Sequence, residues 1–357
     1  FKAALSSLGI AMALAIFIGA SFTTDAMKFI LDVQFDVAQR EDINLTFTEP
    51  KNMDALDNVR HLPGVFRAEP VRTVAADLRA GHFSHRGGVT GIASNAELSR
   101  MIDDKQRPVA LPENGIVLSR TLAEKLHVRA GQKITLDVLE EKRPSVEVQV
   151  AAVVDEFIGT SAYMALPALN RLMKEGPVIT GAAILLDPLY KNAFFAHVKA
   201  TPAIAGIAVM AAARQVFEAT MAEHIKVMTS FHILFAGLIA FGVVYNTAQI
   251  ALSERSSELA SLRVLGLTKE EIGYILLGEL GLLVIMAIPL GMAIGYFLAW
   301  WLSQAFTTEL YRIPLVVGAP VFANACLVVL ASAALSGLAV WHRIETLDLI
   351  AVLKTRE

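Results

Sequence analysis

Few residues in this sequence could do chemistry, and they are widely spaced. His82 and His85 could offer two imidazoles to a metal. No Cys or acidic neighbour stands beside them to complete a ligand set, so they read as solvated histidines of a hairpin. Asp155-Glu156 is a carboxylate pair of the kind acid–base chemistry uses. Without a His or Ser partner, it reads as polarity at a strand end. Cys326 is the single cysteine, which excludes an intrachain disulfide and a cysteine-based metal site. No Gly-x-x-x-x-Gly-Lys-[Ser/Thr] phosphate loop occurs anywhere in the chain. Glu279 lies in a long apolar stretch, where an ionisable side chain is a functional candidate by default. Its alternatives are a place near the headgroups or a pairing with Arg255 or Arg263. His232 and Asn246, in another apolar stretch, read as polar groups facing a neighbouring helix.

The most informative segment runs from Ser253 to Glu271. Leu259, Leu262 and Leu265 recur every three residues, so a helix places them on one stripe, with Glu254, Arg255, Glu258 and Arg263 beside it. Gly266 is placed to end that helix at positive φ. Thr268-x-x-Glu271 then forms a capping box that starts the next helix. Such a helix could lie on lipid. Its shortness, balanced charges and lack of bulky aromatics favour docking to another protein instead.

The elements that must position this segment show in the distribution of charge. The 357 residues are 55% hydrophobic and 18% charged, against roughly 25% charged for a soluble domain. The deficit is concentrated in four windows without Asp, Glu, Lys or Arg: Ala3–Thr24, Val227–Ser253, Leu280–Thr308 and Ile313–His342. They hold 108 residues, and the other 249 carry all the charges. Each window exceeds the 20 or so residues a membrane helix needs, which excludes an all-soluble protein. The next charge-free runs, Phe157–Asn170 and Ala200–Ala213, have 14 residues each and suit buried core elements. Ala11, Ala15 and Gly19 stack at helical spacing in the first span, and Gly291 and Gly295 repeat the small-residue spacing in the third, beyond Pro289. Ser332, Ala333, Ser336 and Gly337 give the fourth a small face.

Between the first two spans lies an α+β domain. Ile43, Leu45 and Phe47 alternate with polar residues as in a half-buried strand, and Asn52 is placed to cap a helix over Met53–His61 that Pro63-Gly64 ends. Val71–Leu78 with Phe83–Ile92, and Gln132–Leu139 with Ser145–Val154, predict two hairpins. Further strands are expected at Gly115–Leu118, Ala182–Leu186 and Ile204–Met210, and helices at Arg120–Leu126, Leu166–Met173 and Leu189–Val198. The first span is expected to continue as helix through Asp42, and a helix over Arg214–Met228 to run into the second span, giving two helical stalks. The fold class is thus an α-helical membrane protein with four transmembrane helices and an inserted α+β extracytoplasmic domain. The expected layout is span one at 1–24, external domain at 25–228, span two at 229–252 and docking segment at 253–268. Span three follows at 269–303, an external loop at 304–320, span four at 321–341 and a tail at 342–357.

Basic residues set the orientation. Arg255, Arg263, Lys269, Arg343, Lys354 and Arg356 crowd the 253–269 link and the tail, whereas the link between spans three and four has only Arg312. Both termini are therefore expected in the cytoplasm and the large domain outside. A net charge of −3 gives no reason to expect nucleic acid.

Glu254-Arg255-x-x-Glu258-Leu259-x-x-Leu262-Arg263-x-Leu265-Gly266, following a second span, closely resembles the cytoplasmic signature of FtsX/MacB-type ABC transporter permeases. The order of one span, a large external domain, three spans and a short tail is similar as well. Ile344–Leu353 resembles the family's ending. Gly115–Leu139, with Leu118-Ser119 and Val128-x-x-Gly131, resembles its external domain more loosely. The resemblance implies a MacB periplasmic-core-like domain in a bacterial inner membrane, and a permease subunit with no catalytic site or cofactor of its own. A separate ABC ATPase subunit would bind ATP and Mg and dock on Glu254–Gly266. It further implies pairing with a homodimer partner or second permease module, and a periplasmic adaptor or lipoprotein as a further partner. In such a permease, motion passes to the external domain to export or extract a lipid, lipoprotein, peptide or drug. The alternative is a non-transporting regulator that activates a cell-wall hydrolase or sensor. Because some members carry two such modules, a chain beginning at Phe1 is compatible with the second of them.

Overall fold

The computed structural model describes residues 2–103, 105–140, 143–157, 159–254, 261, 265, 267–305 and 313–346. The chain divides into two units, one comprising Lys28–Thr220 with Thr307–Pro314, the other Phe1–Met27, Met221–Phe306 and Leu315–Glu357. Each is taken in turn.

Among the described residues the first unit holds nine strands: β1 (Ile43–Asn52), β2 (Val65–Ala80), β3 (Phe83–Ile92), β4 (Ile116–Ser119), β5 (Lys133–Val138), β6 (Ser145–Val154), β7 (Ala162–Ala165), β8 (Val178–Leu186) and β9 (Ile204–Val209). Four short helices accompany them: α2 (Asp54–Arg60), α3 (Arg120–Lys125), α4 (Leu166–Met173) and α5 (Lys191–Lys199). Strand β2 organises the sheet. Its residues from Val71 to Ala80 pair with β3, Ala76–Arg79 pair with β5, and its first half pairs with β8. Following the ladders β2–β3–β7–β4–β6–β5 returns to β2, so six strands close into a ring.

The alternation of β2 explains what fills the ring. Val74, Ala76 and Leu78 point inward and are buried, with Ala75 and Arg79 outside. They meet Ile134 and Leu136 of β5, Val148 and Val150 of β6, and Leu122 and Leu169 of α3 and α4. Beyond β2 the sheet continues through β8, β1 and β9, whose core joins Leu45, Ile184 and Phe194. Gly181 is required there, since a Cβ would stand 2.3 Å from the Leu45 carbonyl oxygen. Pro50 falls where the β1–β8 register shifts, which is where a strand tolerates the missing N–H.

Both expected hairpins form, and α4 spans the expected residues. Other readings need correction. Asn52 does not cap α2: it is the last residue of β1, and its side-chain amide donates to Asp54. The first long helix, α1 (Lys2–Asp32), is not helical to Asp42. It passes into a π-helical stretch at Val33–Ala38, after which Gln39 bridges Ser99 and Asp42 N donates to Ile184 O. The sheet takes over the backbone there. The run Phe157–Asn170 contains strand β7 and then α4, whereas Ala200–Ala213 contains β9, half exposed rather than buried.

The second unit is built from α1 up to Met27, α6 (Met210–Glu254) from Met221, α7 (Lys269–Ala305) and α8 (Ala319–Thr346). All four helices are long and apolar enough to cross a membrane. Helix α1 is the most enclosed: 56% of its most apolar stretch is buried, against 17% for α6. Ile10, Leu14 and Ile18 of α1 pack with Ala240 of α6, Val284 of α7 and Val329 of α8.

Candidate functional site: the docking segment, its clip and the stalks

Of the residues expected to dock a partner, Arg255, Glu258, Leu259, Leu262, Arg263 and Gly266 lie outside the described residues. Glu254 is the last residue of α6. Leu265 sits in a turn, 77% exposed, with its amide donating to Ser261 O.

The flanks of this segment are well defined. Thr268 and Glu271 form the expected capping box: Thr268 N donates to the Glu271 carboxylate at 2.7 Å, and Glu271 N donates to Thr268 Oγ1 at 3.2 Å. Behind the cap, Ala248 and Leu252 of α6 pack on Ile272 and Leu276 of α7 and Val340 of α8, and Leu267 leans on the same cluster. This apolar clip holds together the two helix ends between which the segment is strung. Arg343 of α8 donates to the Tyr245 hydroxyl of α6 at 3.2 Å. Glu279 is half-buried on α7 and is not without a partner. Asn246 is exposed on α6, and His232 is half-buried.

The two small-residue motifs meet each other. A Cβ on Gly291 of α7 would stand 2.8 Å from the Ala11 carbonyl oxygen of α1, and one on Gly295 would stand 3.1 Å from Ala15 Cα. The backbones of α1 and α7 therefore approach as closely as glycine permits. At the other end of α1, Asp25 accepts from Gly318 N at 2.8 Å, placing a carboxylate at the amino end of α8 where the helix dipole favours it.

In the sheet-bearing unit, Arg214 near the start of α6 donates to Asp32 at 2.8 Å, to Asp36 at 2.7 Å and to Glu218 at 2.6 Å. Its guanidinium is held above its ordinary pKa, by Glu218 first and then Asp36. One cation thus ties the end of α1 and its π-helical extension to the first turns of α6. The spacing of Arg214 and Glu218 was readable as a helical pair, but their long-range carboxylate partners were not.

Two other polar features of this unit gave no sequence signal. Arg72 is wholly buried, bonded to Glu140 at 3.1 Å and Glu175 at 3.4 Å. Glu41, 3% exposed, has no hydrogen-bond partner for either carboxylate oxygen apart from its own backbone amide. Burial pushes its pKa from 4.5 up to about 7, with the nearby Glu69 adding to the rise. The carboxylate pair Asp155-Glu156 is split. Asp155 pairs with Arg120, and Glu156 accepts from Ser161 and Tyr163, a serine partner that the sequence did not disclose. His85 hydrogen-bonds Thr160 at 3.0 Å, and His82 lies against the Phe83 ring.

Among the described residues, four helices of membrane-crossing length accompany a folded α/β unit that lies in sequence between the first two. Residues 3–224 match the MacB-like periplasmic core domain and residues 230–348 match the FtsX-like permease C-terminal domain. The chain belongs to the FtsX/MacB-type ABC transporter permeases. It is similar to the crystal structure of the periplasmic region of MacB from Actinobacillus actinomycetemcomitans, at 10% identity and TM-score 0.35, over 52% of this chain and 96% of that one. It is also similar to the extracellular domain of YknZ, a noncanonic ABC-type transporter from Gram-positive bacteria. There the identity is 12% and the TM-score 0.31, over 43% of this chain and 87% of that one. No curated protein is similar enough to count as a match.

Proposed function

We propose that the chain is the membrane subunit of an ABC transporter whose separate ATPase docks on Glu254–Gly266 and drives motion of the sheet-bearing unit on the far side of a bacterial inner membrane. The helices α1, α6, α7 and α8 cross the bilayer, with both termini in the cytoplasm. The ATPase binds ATP and Mg, and this chain contributes no catalytic group. A second permease, either another copy or a related module, completes the assembly, and the exposed apolar surface of α6 suits contact with that partner or with lipid.

The observation that carries this reading is helix α6. Its 45 residues span about 68 Å at 1.5 Å per residue, while the hydrocarbon core is about 30 Å thick. The stretch before residue 229, about 28 Å of helix, therefore extends beyond the hydrocarbon core, and Arg214 fastens that portion to the extension of α1. In this reading a push at the cytoplasmic end is passed along α6 toward the external sheet. The work done there is export or extraction of a substrate presented at the outer face. The substrates consistent with a shaped external domain are a lipid, lipoprotein, peptide or drug.

The docking claim is tested by co-purification with a candidate ABC ATPase subunit co-expressed with the permease. Leu259→Asp with Arg263→Glu should abolish capture of the ATPase and its stimulated hydrolysis, while the permease itself still folds and inserts. A double variant that retains a coupled ATPase would overturn the assignment.

A further inference from the structure

In the sheet-bearing unit a cleft of about 250 Å³ opens where three segments meet. The π-helical stretch contributes Gln34, the strand-like strap after β3 contributes Arg100, and the approach to β7 contributes Glu156, Ser161 and Tyr163. A π-helical turn inside an α-helix is often found at functional sites. Here its widened backbone turns Val37 O toward Arg100, which donates to it through Nη2 at 3.2 Å. Arg100 Nε, by contrast, is buried and without a partner. Arg100 lines the cleft, with Nε sealed behind its surface, and the planar fork of a guanidinium suits a carboxylate best.

The opposite polar wall does not supply that acceptor. Glu156 is already engaged by Ser161 and Tyr163, and burial lifts its pKa to about 7, so its charge is partly suppressed. The cleft is therefore not balanced against an incoming anion. Its remaining walls set the aliphatic Ile30, Val33, Ile92 and Ile102 beside Phe157 and the polar Gln39 and Ser99. The volume corresponds to about eight water-sized units of roughly 30 Å³, below the 300 Å³ or so at which drug-sized sites begin.

We propose that this cleft binds a small molecule or chain end that carries a carboxylate beside an aliphatic side chain, as the free C-terminus of a peptide does, with Arg100 receiving the carboxylate. The site lies against the extension of α1, next to the residues Arg214 gathers, so an occupant rests on the stalk itself. The inference needs neither the ATPase nor the docking segment, so it can fail while the functional proposal stands.

The test is saturation-transfer NMR on the purified full chain, with N-acetyl-leucine and its uncharged counterpart N-acetyl-leucinamide as probes. N-acetyl-leucine should bind at least tenfold more tightly than the amide. Arg100→Gln should remove that preference. Gln34→Trp, which puts a bulky ring into the cleft from the stalk while keeping Arg100, should suppress binding of both probes. Equal binding of the two probes, no binding of either, or binding of N-acetyl-leucine that survives Gln34→Trp would each overturn the proposal.

Discussion

Replacing Glu41 by Gln should remove a pH dependence of stability that the native sheet carries. Glu41 sits at the entry to β1, sealed from water, and its folded-state pKa lies near 7 against 4.5 for an exposed carboxyl. Its neutral form is the one the fold prefers. Below pH 4.5 the carboxyl is protonated in both states and the group is indifferent. As pH rises from 4.5 to 7, the unfolded chain ionises while the folded one resists, and folding loses free energy. Two and a half pH units at 1.36 kcal/mol each give a loss of about 3 kcal/mol, complete above pH 7. Glutamine is neutral at every pH and lacks this slope. The assay is hydrogen exchange of the β1 and β8 segments in the full chain, corrected for intrinsic exchange, at pH 5 and pH 8. These strands pair directly beyond Glu41, through Ile43 with Ile184. Between the two pH values, opening of native β1 should become easier by about 2–3 kcal/mol relative to Glu41→Gln. An identical pH dependence in the two proteins would refute the reasoning, because it would mean that Glu41 ionises in the folded state as readily as in the unfolded one.

The other predictions concern the buried arginine and the glycine crossing. Arg72→Ala should destabilise the sheet-bearing unit by about 3 kcal/mol or more, because it strands Glu140 and Glu175 facing a buried void. Arg72→Met, which fills the space, should recover part of that loss, both effects being read by hydrogen exchange of β2. Gly291→Ala should cost about 1–3 kcal/mol and lower the melting temperature of the purified protein, since the new Cβ would stand 2.8 Å from Ala11 O. Gly278→Ala, where a Cβ meets nothing within 4 Å, is the control and should melt as the native protein does or slightly higher.

What the sequence disclosed followed from local physics. A charge-free run of twenty or more residues has few other uses, so the four long helices were readable at once. The capping box at Thr268 and the hairpin of β2 with β3 are written in residues close together in the chain. The closure of the ring was not readable. It depends on the four-residue strand β7, which pairs with β3 some 70 positions earlier and also with β4, and its Ala-Tyr-Met-Ala sequence carries too little alternation to announce a strand. The small-residue spacings on α1 and α7 were each visible, but nothing in either says that it meets the other. Arg72 and Glu41 were hidden for the same reason: a charge on or beside a strand reads as solvated until the distant segments that bury it are known.

The central claim is that ATP binding by the partner moves the external unit. It is tested most directly by the distance between spin labels placed at Leu189, 88% exposed on the sheet-bearing unit, in the two permeases of the assembled complex. With a hydrolysis-deficient ATPase, adding ATP should shift the distance distribution by several ångströms, and Leu259→Asp with Arg263→Glu should abolish the shift. A distribution that stays the same with and without ATP, in a complex whose ATPase is bound and active, would contradict the account.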